Sequence, residues 1–223
     1  MKTSSPALFS LALGGLCIGT TEFAAMGLLP FIASGLGVSI SQTGHIISAY
    51  ALGVVVGALL LTVLAAKWDR KVLLLALMGF YTLGNIVSAF APSLGWLVLG
   101  RFLSGLPHGA FFGVGAVMGA HVAGQEKRGR AVAIMMAGLT VANIIGVPVV
   151  TWAGQSLGWR LSYFGVALLG VITVLAIAKW IPRLPVHSEA SVSNELSSLK
   201  NGPLWMVFAS GAVGFGGMFA VYS

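Results

Sequence analysis

Seven stretches of the chain run for about 20 residues or more with almost no charge, a length that spans the hydrocarbon core of a bilayer as helix. They are residues 7–33, 43–66, 72–91, 94–120, 131–154, 161–181 and 204–222. Inside lipid every backbone N–H and C=O must find its partner within the protein, and a helix achieves this on its own. The expected fold class is therefore an all-α membrane protein. Composition agrees: 57% of the residues are hydrophobic and 8% charged, against roughly a quarter charged in soluble domains.

The separators carry turn chemistry, as in Ser34-Gly35-Leu36-Gly37, Ala91-Pro92-Ser93 and Ser156-Leu157-Gly158. Only residues 182–203 are longer and polar, with Ser188, Ser191, Ser193, Ser197 and Ser198, and they read as a linker between two membrane blocks. Lys2 precedes an apolar run like the start of a signal peptide, but the run continues to Ala33 without a clear cleavage signal and reads as a retained span.

Placing the amino terminus in the cytoplasm puts Lys2, Lys67, Arg70, Lys71, Lys127, Arg128, Arg130, Lys179, Arg183 and Lys200 on that side, ten of the twelve basic residues. Arg160 alone lies outside and Arg101 lies within a run, so every loop obeys the positive-inside rule. All six tryptophans fall near run ends, at headgroup level. The net charge of +7 thus sets orientation, and nucleic acid is excluded as a partner. The single cysteine, Cys17, sits inside the first run, which leaves no disulfide framework and no Cys/His metal cluster. No metal or cofactor is expected.

Arg101 is the costly residue. A guanidinium at the centre of a span costs on the order of 2.5–3.5 kcal/mol, so it should face protein or trapped water. Steps of three and four place Ser104, Gly105, His108, Gly109, Phe112 and Gly113 on its face. Glu22 is the only acidic residue deep in a run; on the helix ruler it lies roughly 16 Å below the outer edge and Arg101 roughly 10 Å, so the two could meet. A carboxylate whose partner or hydration changes between states takes up and releases a proton, which makes Glu22 and Arg101 candidates for proton coupling. The competing reading is a static buried pair that fixes helix register.

His108, about 10.5 Å deeper than Arg101, is either a structural hydrogen-bonding residue or a contact for substrate. Thr140 and Asn143 give the fifth run a polar face, whereas Asn85 in the third reads as interhelical glue. Gly105, Gly109 and Gly113 form a stripe at four-residue spacing, echoed by Gly15 with Gly19 and Gly53 with Gly57, which marks close helix packing or a sliding surface. Pro107 and Pro148 should kink their helices. No HExxH, phosphate-loop or G-x-S-x-G pattern is present, and Ser104 with His108 lacks an orienting acid, so the chain does not read as an enzyme.

Leu99-Gly100-Arg101-Phe102-Leu103-Ser104-Gly105, the basic loop Lys67-Trp68-Asp69-Arg70-Lys71 and Gly146-Val147-Pro148 together resemble the major facilitator superfamily. Gly19-Thr20-Thr21-Glu22-Phe23, Gly27-Leu28-Leu29-Pro30, His108-Gly109-Ala110-Phe111-Phe112-Gly113 and Thr140-Val141-Ala142-Asn143 look like its AraJ-type sugar and drug efflux branch. The resemblance implies a six-helix half of two inverted three-helix repeats over residues 1–181, a cytoplasmic linker over 182–203, and a seventh helix over 204–223 that begins a second half. It implies a proton-coupled exporter of a sugar or drug in the bacterial inner membrane, working by alternating access about a midplane site. Glu22 and Arg101 would couple protons, and Met26, His108, Phe112, Thr140 and Asn143 would line the substrate cavity. Gly138, Gly146 and Pro148 fall where the antiporter motif lies, and Asp69, Arg70 and Lys71 in the cytoplasmic gating loop.

Two departures stand out: Ala66 occupies the place of the loop's usual aspartate, and Val147 splits the usual Gly-Pro pair. Members have about twice this length, so the expectation is one half of such a transporter, with a second half as partner beside protons, a small-molecule substrate and the bilayer. The alternative function is a non-transporting membrane protein that assembles with, or interferes with, a full-length relative.

Overall fold

The structure, a computed structural model, describes residues 4–64, 68–183 and 202–222. Among them six helical segments are long and apolar enough to cross a membrane: Ser5–Leu36, Ile40–Leu61, Arg70–Ala89, Leu94–Ala123, Gln125–Leu157 and Trp159–Trp180. These are spans 1 to 6, and each coincides with one of the first six apolar runs. The seventh run is also helical, over Gly202–Tyr222. Among the described residues it makes no extended packing with the six spans, and its side chains from 205 to 214 are exposed. Of the 182–203 linker, residues 184–201 lie outside the described residues.

Local chemistry sets the ends. Asp69 caps span 3, its Oδ1 accepting from the Val72 amide at 3.0 Å, and Ser39 with Gln42 forms a reciprocal capping box before span 2. Gly37, Gly124 and Gly158 take positive φ at the turns after spans 1, 4 and 5, a region open to glycine because it has no Cβ. The helical hydrogen-bond pattern changes at both prolines where kinks are expected. Span 4 breaks between Gly105 and Pro107, and span 5 passes through a π-helical turn, Ala142–Gly146, just before Pro148. Proline has no N–H and crowds the carbonyl four residues back, here Leu103 and Ile144, so the helix resets its hydrogen bonding at each site.

The packing has an internal two-fold logic. Spans 3 and 6 pair; span 1 packs on 5 as span 4 packs on 2; span 1 packs on 6 as span 4 packs on 3; and spans 1 and 4 touch each other. Exchanging 1 with 4, 2 with 5 and 3 with 6 leaves these pairings unchanged. Successive spans run in opposite directions, so spans 1 and 4 are antiparallel and the two three-helix units are inverted repeats.

Close approach rests on glycine. A Cβ on Gly53, Gly57 or Gly105 would collide with the carbonyls of Phe102, Leu106 and Tyr50, so spans 2 and 4 touch backbone to backbone. Gly138 meets the Ala12 carbonyl and Gly15 the Met135 carbonyl in the same way between spans 5 and 1. The predicted stripe on span 4 is shorter than its spacing implies. A Cβ on Gly109 would stand 3.0 Å from the Ala58 Cβ, whereas one on Gly113 would meet nothing within 4 Å.

Buried polar groups tie spans 1, 3 and 6 together. Thr21 Oγ1 lies 2.6 Å from the Tyr81 hydroxyl and donates to Asn85 Oδ1 at 3.3 Å; Tyr81 donates to the Cys17 carbonyl; Cys17 Sγ meets Thr173 Oγ1 at 3.1 Å. Asn85 is interhelical glue, fully buried as expected. The outer faces are apolar, with Leu83, Leu168 and Leu175 more than half exposed, as suits contact with lipid.

Candidate functional site

Span 4 carries Arg101 into the bundle because its upper half is packed tightly on both sides. Gly100 abuts Ser88 of span 3 and Gly105 abuts Tyr50 of span 2. The arginine is 1% exposed. Its Cζ stands 4.3 Å from the Tyr50 ring centroid and 6.0 Å from that of Tyr163. A cation over an aromatic face is attracted by the ring quadrupole, by about 2 kcal/mol or more where both are desolvated.

No carboxylate forms an ion pair with Arg101 among the described residues, and its Nε and Nη1 have no hydrogen-bond partner. The Tyr163 hydroxyl beside it is likewise unpartnered. The expected meeting of Glu22 with Arg101 is thus not a contact. Glu22, half-buried on span 1, makes no hydrogen bond or ion pair among the described residues, but it lies within range of the arginine's Coulomb field, as do Tyr50, Tyr81 and Tyr163. The two residues stand on different spans, and Tyr50 supplies the near neighbour that Arg101 needs.

Tyr50 extends the site to His108. Its hydroxyl and His108 Nδ1 share a hydrogen bond of 3.0 Å, and the His108 ring meets that of Phe112, one turn further, at 5.4 Å and a tilt of 54°. Arg101, Tyr50, His108 and Phe112 therefore form a continuous line down the seam between spans 2 and 4, although Arg101 and His108 do not share one unbroken helix. Met26, one turn after Glu22, is half-buried. Tyr50 and Tyr163 are the members that sequence reasoning missed. Their hydroxyls stand out within apolar runs, but a sequence marks a partner for Arg101 most plainly by opposite charge, which neither tyrosine carries.

Thr140 and Asn143 are exposed on span 5; Asn143 Nδ2 donates back to the Leu139 carbonyl at 3.0 Å and reaches no other span. Gly138 is buried against span 1, Gly146 sits against the Thr20 side chain, and Pro148 is exposed. In the loop before span 3, Asp69 is occupied as a helix cap, Lys71 Nζ donates to the Ala178 carbonyl at 2.6 Å, and Arg70 is half-buried. Among the described residues no group of three or more His, Cys, Asp or Glu side chains could hold a metal.

A profile of the Major Facilitator Superfamily matches residues 11–223. The chain is 45% identical to "Inner membrane transport protein YdhP" of Escherichia coli over 223 residues, all of this chain and 57% of that one. It is 36% identical to "Putative transporter AraJ" of Escherichia coli over 97% of this chain and 55% of that one, and 31% identical to a "Probable sugar efflux transporter" of Pasteurella multocida over 97% and 54%. The fold is similar to that of the Escherichia coli xylose transporter XylE, partially occluded and inward open, with a TM-score of 0.69 at 15% identity over 82% of this chain and 49% of that one. The chain spans a little over half the length of these curated relatives.

Proposed function

The chain belongs to the Major Facilitator Superfamily, whose members are transporters and not enzymes, and from that premise we propose that it forms the amino-terminal half of a proton-coupled exporter of a small neutral or cationic solute. The observation that carries the reading is the buried Arg101 guanidinium with two open donor nitrogens, in Coulomb range of a half-buried Glu22. Intramembrane ionisable groups mark ion and substrate pathways. A change in the separation of these two between inward- and outward-facing states changes the proton occupancy of Glu22, which is the coupling step.

Substrate would lie along the face of Met26, His108 and Phe112, with Thr140 and Asn143 presented toward the second half and Gly138, Gly146 and Pro148 forming the antiporter segment. Asp69, Arg70 and Lys71 hold the cytoplasmic gating loop. The linker and the helix Gly202–Tyr222 would lead toward that second half, and the bias of basic residues supports an amino terminus on the cytoplasmic side of a bacterial inner membrane. Efflux of a sugar is supported by resemblance to a probable sugar efflux transporter.

The test is solute flux in proteoliposomes of the full 223-residue chain carrying an internal pH dye, with a panel of neutral sugars and hydrophobic drugs. A solute gradient should drive proton movement that falls to background in Glu22→Gln and Arg101→Ala. Flux with no proton movement overturns the coupling. No flux from correctly inserted protein overturns transport by this chain alone and favours the non-transporting assembly reading.

A further inference from the structure

Where spans 1, 4 and 5 come together at the basic end of the bundle, they leave a cavity of about 620 Å³, within the size range of small-ligand sites. Its wall includes Leu8, Phe9 and Ile134, and its mouth carries His121, Lys127 and Arg130. Both permanent cations are exposed and neither pairs with a carboxylate among the described residues. Glu126, the acidic neighbour in sequence, does not line the cavity.

The cavity also has a definite level. It includes Ala123, the last residue of span 4, and Lys127, near the start of span 5. The Phe9 ring meets that of Trp180, the last residue of span 6, edge-on at 6.2 Å. Span ends that carry tryptophan and basic residues sit among lipid headgroups. An apolar wall that opens on a cationic rim at this depth complements a molecule with a phosphate at one end and hydrocarbon at the other.

We propose that this cavity binds an anionic glycerophospholipid, its phosphate between Lys127 and Arg130 and the start of an acyl chain against Leu8, Phe9 and Ile134. A free phosphate would use the rim and leave the apolar wall empty. The lipid would bridge spans 1, 4 and 5 at the end where the loop between spans 4 and 5 turns.

Native mass spectrometry of the detergent-purified full chain, titrated with phosphatidylglycerol or with phosphatidylcholine of the same acyl chains, tests this. Phosphatidylglycerol should be retained preferentially. Affinity should fall about fivefold in Lys127→Gln or Arg130→Gln and about 25-fold in the double variant, from the usual worth of a basic residue at an anionic membrane surface. Phosphatidylcholine binding should not change. Both residues are exposed, so the variants should fold, which a melting curve checks. Arg128→Gln/Arg183→Gln removes as much charge from residues that do not line the cavity and should leave binding unchanged. Equal retention of the two lipids, an unaffected Lys127/Arg130 double variant, or an equal loss in the Arg128/Arg183 control would each overturn the site. Displacement of the lipid by millimolar inorganic phosphate would overturn the lipid assignment in favour of a free anion.

Discussion

Arg101 shows how a membrane bundle holds a cation without neutralising it. Its positive charge lies over Tyr50 while Nε and Nη1 keep their donor capacity, so the group is sheltered yet open to a new partner. Because no carboxylate among the described residues is left unpaired by its removal, and an apolar side chain lacks the desolvation cost of a buried cation, Arg101→Met should leave the melting temperature unchanged or higher. A large destabilisation would instead reveal a structural ion pair. Tyr50→Phe keeps the ring under the guanidinium and loses only the His108 hydrogen bond, which predicts a loss of about 1 kcal/mol in thermal unfolding; Tyr50→Leu should cost more, by the cation–π share. In transport, the Glu22→Gln/Arg101→Ala double variant should lose less than the sum of the singles, whereas additive losses would separate the two residues. The presence of Arg101 and His108 near one face was legible in their seven-residue spacing. Tyr50 was not, because its height against span 4 is set by backbone contacts at Gly53, Gly57 and Gly105, and pairing across spans leaves no trace in the periodicity of either.

At the scale of single helices the sequence is a good guide, since an uninterrupted apolar run in lipid has one backbone solution. The first six runs became spans with ends displaced by a few residues, and the two proline positions became the break at Leu106 and the π-helical turn before Pro148. The glycines divide by context that spacing alone does not encode. Gly57 and Gly138 face carbonyls of a neighbouring span, while Gly113 faces open space. Gly57→Ala and Gly138→Ala should each destabilise the bundle by about 1–3 kcal/mol in thermal unfolding, the usual cost of overpacking. Gly113→Ala should change nothing measurable, and a loss there matching that at Gly57 would mean that the lower half of span 4 packs against a partner.

Across the whole molecule, the pairings of spans 1 and 4 with their neighbours, and of span 3 with span 6, exchange under a two-fold relation of spans 1–3 with spans 4–6, so the arginine-bearing span 4 is the counterpart of the Glu22-bearing span 1. That equivalence puts the two ionisable groups on related helices that touch, near the axis about which the repeats are arranged. It also separates them from the lipid-facing sides of spans 3 and 6. An exporter of this kind needs the proposed substrate face of Met26, His108 and Phe112 to open on water. The most direct test is thiol labelling of the inserted chain in a Cys17→Ala background, using a small hydrophilic reagent on Met26→Cys and Phe112→Cys, with Leu168→Cys and Leu175→Cys as outer-face references. The account predicts rapid labelling at positions 26 and 112 and protection at 168 and 175; protection at 26 and 112 in correctly inserted protein would contradict it.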